Sequence, residues 1–309
     1  MTNLKNIVRS ALVATSMAAA SIASAADIVV VAHGQANDPF WSVVKNGVEE
    51  AGKDTGINVE YRSPETFDMV AMSQLIDAAV NQEPDGLIVS IPDADALGPA
   101  IKRAVAAGIP VISINSGSDV SKGLGALLHV GQDEYDAGKA AGELLAKEGG
   151  KNAICVNQEV GNVALDLRCQ GFSDGFGGKS KVLPTTNDPS EIESKVAAAL
   201  ASDGSIDTIM ALGASTAGEP SVAAAKASGR SIAVASFDLS ASFLKSIIAG
   251  DAAFAIDQQQ FLQGYLSVNF MALHAKYGLM PGGNVPSGPN LITADKAGQV
   301  VELSAKGIR

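Results

Sequence analysis

Aromatic residues and cysteines are scarce in this sequence. Phe, Trp and Tyr together make up 5% of its 309 residues, with one tryptophan, and only two cysteines are present. Two cysteines with no histidine nearby do not form a zinc site. Because aromatic side chains are so few, a cluster of them carries more weight here than in an average protein.

The motifs of nucleotide and metal enzymes are also missing. The sequence has no Walker loop, no Gly-x-Gly-x-x-Gly after an apolar strand and no His-Glu-x-x-His. His33, His129 and His274 are far apart along the chain, so we expect neither a cofactor nor a metal site. With 33 acidic and 22 basic residues the net charge is −11, which argues against nucleic acid or an anionic membrane as a partner.

Long apolar runs are absent except at the N-terminus. Lys5 and Arg9 precede an apolar run over residues 11–20, and the small residues 23–25 follow it. This three-part layout predicts a secretory signal peptide over residues 1–25. An uncleaved anchor helix is the alternative, but the apolar run is shorter than the roughly 20 residues that a membrane span needs. We therefore expect a soluble, exported mature chain.

After this segment, short apolar runs alternate with Ala-rich helical segments, a pattern typical of βαβ units and mostly parallel sheets. The predicted strands are 27–33, 58–61, 86–90, 110–114, 126–130, 152–156, 181–183, 208–212, 231–236 and 253–256. The predicted helices lie near 40–54, 68–82, 95–107, 134–148, 164–177, 189–202, 216–228, 240–249 and 260–277. Ten strands are many for one sheet, and a division near residue 130 predicts two α/β domains.

Ligands of open α/β sheets bind beyond the carboxyl ends of the strands, so the residues after each strand are the candidate site. Asp38, Phe40 and Trp41 follow the first strand and combine a carboxylate with flat apolar rings. That combination suits a ligand with many hydroxyl groups. The alternatives are that Asp38 caps a helix and that both rings belong to the core.

Polar residues also follow several later strands. Asn115 offers both a donor and an acceptor, while Ser90 could belong to a simple turn. Asp238 is either a helix cap or an acceptor for a ligand hydroxyl. Arg168 lies on the helix after the strand 152–156, where its guanidinium could bind two neighbouring hydroxyls, although such an arginine is usually on the surface.

The two cysteines, Cys155 and Cys169, could form a disulfide in an exported protein or remain as buried thiols. A bridge would contribute about 3 kcal/mol by the loop-entropy relation. It would also hold the neighbouring Arg168 in place.

A hydrolase is a competing hypothesis. Residues 213–217 resemble a weak nucleophile elbow around Ser215, and Asp238 and His274 follow in the order of a catalytic triad. The final glycine of that motif is missing, which weakens this hypothesis.

Taken in order along the chain, several segments resemble the ribose-binding-protein-like group of periplasmic sugar-binding proteins, which share their fold with LacI-type repressor cores. These segments are Asp-Pro-Phe-Trp at 38–41, the stretch 130–139, Arg-Cys-Gln-Gly-Phe at 168–172, Phe-Asp at 237–238 and Asp-Gln-Gln at 257–259. The resemblance implies two Rossmann-like domains joined by a hinge of three crossing strands, with the ligand trapped between them. It implies lobes over 26–131 plus about 262–288 and over 132–261 plus about 289–309.

The same resemblance implies a receptor that works in the periplasm as a monomer and docks on an ABC-transporter permease of the inner membrane. The ligand-binding residues that the resemblance implies are Asp38, Phe40, Trp41, Ser90, Asn115, Arg168, Asp238 and Gln258. We also predict that His33, Asn37 and Gly213, which follow strands of the same edge, contribute to the site. Ser116 stands where the ribose receptor has an arginine, and Gly213 where it has an asparagine. These departures favour another aldose or a sugar alcohol over ribose. A receptor that serves only chemotaxis is an alternative that the sequence leaves open.

Overall fold

The computed structural model describes residues 27–35 and 38–309, so the segment 1–25 and Asn37 lie outside the described residues. Its strands are β1 (Asp27–Val31), β2 (Asn58–Arg62), β3 (Gly86–Ser90), β4 (Val111–Asn115), β5 (Leu128–Gly131), β6 (Asn152–Asn157), β7 (Lys179–Pro184), β8 (Thr208–Ala211), β9 (Ala233–Phe237), β10 (Phe254–Asp257), β11 (Val285–Pro286) and β12 (Asn290–Ile292). Its α-helices are α1 (Pro39–Thr55), α2 (Met69–Val80), α3 (Ala94–Ala106), α4 (Glu134–Lys147), α5 (Val163–Phe176), α6 (Pro189–Ser202), α7 (Glu219–Ala227), α8 (Ala241–Ala249), α9 (Gln260–Tyr277) and α10 (Ala294–Ala305).

The strands form two sheets with the same winding. One sheet has the order β11-β5-β4-β3-β1-β2 and the other β12-β10-β9-β8-β6-β7. All described strand pairs are parallel except β10 with β12. The predicted α/β class with two doubly wound sheets is confirmed.

Apolar side chains cover both faces of each sheet, as parallel strands require. In β1, Val29 and Val31 pack against the layer of α2 and α3, while Ile28 and Val30 pack against that of α1 and α9. The second sheet is enclosed in the same way, by α4 and α5 on one face and by α6, α7, α8 and α10 on the other. Such apolar runs made the inner strands predictable from sequence, whereas the edge strands β2 and β7 are polar in part and exposed or half-buried along their length.

The chain passes between the sheets three times, after β5, after β10 and between β11 and β12. The three passages are hydrogen-bonded to one another: the Ser287 N–H donates to the Gly131 carbonyl (2.7 Å), and the Gln263 amide donates to Ser287 Oγ (3.1 Å) and to the Gln258 carbonyl (3.2 Å). The carboxyl ends of both sheets therefore face each other across a common set of crossings.

Among the helices of the described residues, none is long and apolar enough to cross a membrane.

Two very short strands, β11 and β12, and the helix α10 were not predicted. The proline and glycine content of segment 281–289 predicts a loop. In the structure this segment contains β11 and most of the third crossing. Strands of two and three residues are too short to show an alternation of apolar and polar side chains.

Candidate functional site

A cavity of about 50 Å³ lies between the carboxyl ends of the two sheets. That volume is several times what one enclosed water molecule occupies. Most of the predicted site residues line it: His33, Asp38, Phe40, Trp41, Asn115, Arg168, Gly213, Asp238 and Gln258. The fold thus brings together residues as far apart in sequence as His33 and Gln258, 225 positions. Among the described residues of the predicted site, Ser90 is the exception and does not line the cavity.

Asp38 is both a helix cap and a cavity residue. It is the N-cap of α1, and its Oδ1 accepts hydrogen bonds from the backbone N–H groups of Phe40 (2.8 Å) and Trp41 (3.4 Å). Pro39 at the first helical position favours this start. Burial, and then the charge of Glu159, raise the pKa of Asp38 to about 6. Trp41 also belongs to the core beside the first sheet. Asp38 and Trp41 therefore line the cavity and at the same time fill the alternative roles, helix cap and core ring.

His33 and Ser90 form a buried pair. The Ser90 hydroxyl lies 2.8 Å from His33 Nδ1 and accepts the His33 backbone N–H at 3.0 Å. Ser90 therefore does not line the cavity, contrary to its predicted place in the site, because its hydroxyl is used to hold His33. The His33 ring packs edge-on against Trp41, with ring centroids 4.7 Å apart. Burial lowers the pKa of His33 to about 4, so this imidazole is neutral at pH 7.

Glu159, Asn162 and Asn187 are site residues that we did not predict. Glu159 accepts hydrogen bonds from the side-chain amides of Asn162 (2.8 Å) and Asn187 (3.1 Å), and its Oε2 lies 3.7 Å from His33 Nε2. Asn162 is the N-cap of α5, where its Oδ1 accepts the Ala164 N–H (3.0 Å). The signal for Glu159 and Asn162 was their position just after β6, the same signal that identified Asp38 after β1.

Arg168 does line the cavity, but its guanidinium is already paired. Nε and Nη2 donate to the two carboxylate oxygens of Glu134 at 2.6 and 3.1 Å, and Nη1 donates to the Leu212 carbonyl at 3.3 Å. The guanidinium carbon also lies 4.4 Å from the centre of the Phe237 ring. Glu134 thus occupies the Nε–Nη2 edge of the guanidinium, while Nη1 and Nη2 each keep one further N–H, so binding of ligand hydroxyls by Arg168 stays a prediction.

Close packing of α4 against α5 explains the Glu134–Arg168 pair. At Gly138, Gly142, Gly171 and Gly175, an added Cβ would overlap a backbone oxygen of the opposite helix. Only glycine permits such an approach of two backbones.

The cysteines form the expected disulfide, with Cα atoms 5.8 Å apart, and it ties β6 to α5 next to Arg168.

Asn115, Gln258 and Asp238 form a hydrogen-bonded chain along one wall of the cavity. The Asn115 amide donates to Gln258 Oε1 at 3.1 Å, and the Gln258 amide donates to Asp238 Oδ1 at 2.6 Å. Asp238 is buried, and burial raises its pKa to about 7, although the charge of Arg168 and the Gln258 amide act in the opposite direction. The resulting wall presents amides and a carboxylate with an unusually high proton affinity.

Two glutamines add acceptors to the same cavity. Gln158 Oε1 and Gln260 Oε1 are enclosed and have no hydrogen-bond partner among the described residues. A buried acceptor without a donor costs about 1–3 kcal/mol, which a ligand hydroxyl could offset. Gly213 keeps the space open, since a Cβ there would lie 3.0 Å from Gln158 Nε2 and 3.8 Å from Asp238 Oδ2.

The geometry does not favour the hydrolase hypothesis. Ser215 lines the cavity, but His274 lies on α9 and is not among the lining residues. Within the described part of the chain, the hydroxyl of Ser215 has no hydrogen bond to a histidine.

Comparison with known proteins agrees with this geometry. The family described as "Periplasmic binding protein domain" matches residues 28–279. The ribose import binding protein RbsB of Haemophilus influenzae is 27% identical over 264 residues, which cover 82% of this chain and 87% of that protein. A carbohydrate transporter from Acidothermus cellulolyticus, solved in complex with myo-inositol, is 35% identical with a TM-score of 0.88, covering 93% of this chain and 100% of that one.

A more distant structure supports the fold alone. The periplasmic solute-binding protein of Actinobacillus succinogenes with bound D-allose has a TM-score of 0.77 at 18% identity, covering 89% of this chain and 99% of that one. The family match and the 35% identical structure confirm the resemblance predicted from the sequence. The chain therefore belongs to the periplasmic binding protein family.

Proposed function

We propose that this protein captures a neutral monosaccharide or sugar alcohol in the cavity between its two sheets and delivers it to an ABC importer. The observation that carries the proposal is the cavity itself, because both sheets contribute side chains to it and its wall contains acceptors without donors. Asp38, Asn115, Asp238 and Gln258 would bind hydroxyl groups, and Phe40 would lie against a face of C–H bonds.

Closure of two lobes about the three crossings would trap the ligand. We take the lobes as 26–131 plus about 262–288 and 132–261 plus about 289–309. Contacts between them support a closed form: the Val163 N–H donates to the Pro92 carbonyl at 2.9 Å, and Glu159 lies 3.7 Å from His33. A ligand that hydrogen-bonds both lobes binds this form more tightly and so shifts the equilibrium towards it.

Two features of the wall favour a sugar alcohol or cyclitol over ribose. The Ser116 hydroxyl donates to Asn115 Oδ1 at 2.9 Å. Ser116 therefore orients a wall residue, whereas the arginine at this position in the ribose receptor would supply a charged donor. Gly213 leaves space that an amide side chain would fill. Because the 35% identical relative was solved with myo-inositol, that cyclitol is the first compound to test.

The remaining parts of the proposal follow from the family. The protein would act in the periplasm as a monomer, contact an inner-membrane permease in its closed form, and carry out no chemical reaction. Binding rather than hydrolysis is supported by the position of His274 on α9, outside the cavity lining that contains Ser215.

A ligand screen tests the proposal. We expect a pentose, hexose or polyol, with myo-inositol tested first, to raise the melting temperature, because a ligand of the native state stabilises it by mass action. Calorimetry on Asp238→Ala should then show no binding, while circular dichroism shows a folded protein. Asp136→Ala, a change at an exposed carboxylate of α4, is the matched control and should bind normally. A folded Asp238→Ala variant with unchanged affinity would contradict the assigned role.

A further inference from the structure

The charges that face the cavity do not balance. Three carboxylates, those of Asp38, Glu159 and Asp238, belong to its lining. Arg168 is the one Lys or Arg among the described lining residues. Its charge is already countered by Glu134, with which it forms a two-bonded ion pair, both side chains being almost completely buried. A ligand in this cavity therefore meets an excess of negative charge.

The other lining groups do not supply the missing cation. His33 is neutral near pH 7, because burial lowers its pKa to about 4. Gln158, Asn187 and Gln260 are uncharged amides. Because Glu159, Arg168 and Asp238 are buried, a charge placed beside them is screened weakly, and an unpaired charge is costly.

The hydrogen-bond inventory shows the same surplus of acceptors. Gln260 is 1% exposed, lines the cavity, and its Oε1 has no donor among the described residues. Asp38 and Asp238 each use Oδ1 in the hydrogen bonds described above, and their Oδ2 atoms accept none from a described residue. A hydroxyl brings one donor, whereas an ammonium group brings three donors and no acceptor.

We propose that the cavity selects ligands by charge: it binds an amino-substituted sugar or cyclitol, with a protonated amine in place of one hydroxyl, at least as tightly as the neutral parent, and it rejects phosphorylated and carboxylated derivatives. This inference rests on the proposed function and narrows its ligand class. Glu134 would be the residue that sets the selectivity, since it removes the one cationic charge that could hold an anion.

The ionisation of the wall agrees with this proposal. Burial and the neighbouring charge of Glu159 raise the pKa of Asp38 to about 6, and burial raises that of Asp238 to about 7 despite Arg168. A bound ammonium would stabilise the ionised carboxylates and lower both pKa values again. Binding of the amine near pH 6.5 should therefore release protons.

Two series of matched compounds test the proposal by calorimetry at pH 7. One contains myo-inositol, scyllo-inosamine and myo-inositol monophosphate, and the other D-glucose, D-glucosamine and D-glucuronate. We expect, in at least one series, an amine that binds as tightly as the neutral compound or more tightly, and an anion that binds about 100-fold more weakly or not at all.

The outcomes separate this inference from the proposed function. If a neutral compound binds and its amine does not, or if the anion binds equally well, charge selection is overturned while the receptor function stands. If an amine binds and no neutral compound does, charge selection stands and the neutral ligand class is overturned. If none of the six binds, charge selection is overturned, and the receptor function is judged by the broader sugar screen.

Two variants locate the selectivity. Asp38→Asn keeps a good N-cap for α1 but removes one charge, so the ratio of amine to neutral affinity should fall about tenfold or more. Asp136→Asn, at an exposed position, should leave the ratio unchanged. Glu134→Gln should free the Arg168 charge and strengthen binding of the anion. An unchanged ratio in a folded Asp38→Asn protein would overturn the assignment even if Glu134→Gln does not fold.

Discussion

Asn115 and Asp238 occupy equivalent places in the two sheets, and one side chain joins them. Asn115 ends β4 and Asp238 follows β9, each of which is the third strand in its sheet. Both have left-handed backbone conformations, with φ of +62° and +67°. The Gln258 amide accepts from Asn115 and donates to Asp238. The repeated fold thus places two related polar positions face to face, and a residue of the second crossing connects them.

The bridge predicts that Gln258→Leu weakens ligand binding by about tenfold or more. Leucine fills a similar volume but leaves Asp238 without its donor and Asn115 without its acceptor, a loss of about 1–3 kcal/mol for each buried group. Calorimetry with the best sugar from the screen measures the effect. Gln299→Leu, at an exposed position of α10, is the control and should bind like the wild type. Equal affinity for Gln258→Leu would show that the bridge has no part in binding.

Arg168→Lys should destabilise the protein by about 1.5–3 kcal/mol, the contribution of a hydrogen bond to a charged group. A lysine cannot donate to both carboxylate oxygens of Glu134, so a buried carboxylate would lose part of its partner. Chemical denaturation monitored by circular dichroism measures the loss.

Arg103→Lys is the matched control for that experiment. Arg103 also forms two hydrogen bonds to one carboxylate, that of Asp77, but this pair is about half exposed. Solvent screening limits the cost there to about 1 kcal/mol or less. Similar losses in the two variants would contradict the importance of burial for the Arg168–Glu134 pair.

Local patterns were sufficient to predict the strands and much of the site. Apolar runs identified the inner strands of both sheets. The rule that ligands bind at strand carboxyl ends pointed to Asp38, Asn115 and Asp238, all of which line the cavity. Each of these inferences depends on residues close together in sequence. The same rule applied to β6 would have found Glu159 and Asn162.

What the sequence did not reveal came from contacts between distant residues. The occupied fork of Arg168 depends on Glu134, which lies 34 positions earlier and is brought close by the glycines of α4 and α5. Likewise, the Ser90 hydroxyl is bound by His33, 57 positions away. No periodicity or motif records which of several polar side chains will pair with another, so these pairings required the structure.

Sugar binding should release protons between about pH 6 and 7.5. In the free protein, the pKa of Asp238 is raised to about 7, so a large fraction of this carboxyl is protonated below neutrality. Ligand hydroxyls that donate to the carboxylate favour its ionised form and lower this pKa. Affinity should consequently rise with pH through this range. Calorimetry in buffers of different ionisation enthalpy measures the released protons, and Asp238→Asn should abolish the Asp238 share. Proton uptake on binding would contradict this prediction.

Reduction of the Cys155–Cys169 disulfide should lower the free energy of unfolding by about 3 kcal/mol, because the bond closes a loop between residues 14 positions apart and restricts the unfolded chain. Oxidised and reduced wild-type protein differ only at the two sulfur atoms, so denaturation with and without reductant isolates the contribution of the bond. In a Cys155→Ala, Cys169→Ala double variant the reductant should have no effect, which controls for its action elsewhere. Because both cysteines are buried, the native protein should resist reduction until it unfolds. Equal denaturation midpoints for oxidised and fully reduced protein would show that the bond fixes neither the fold nor the turn that carries Arg168.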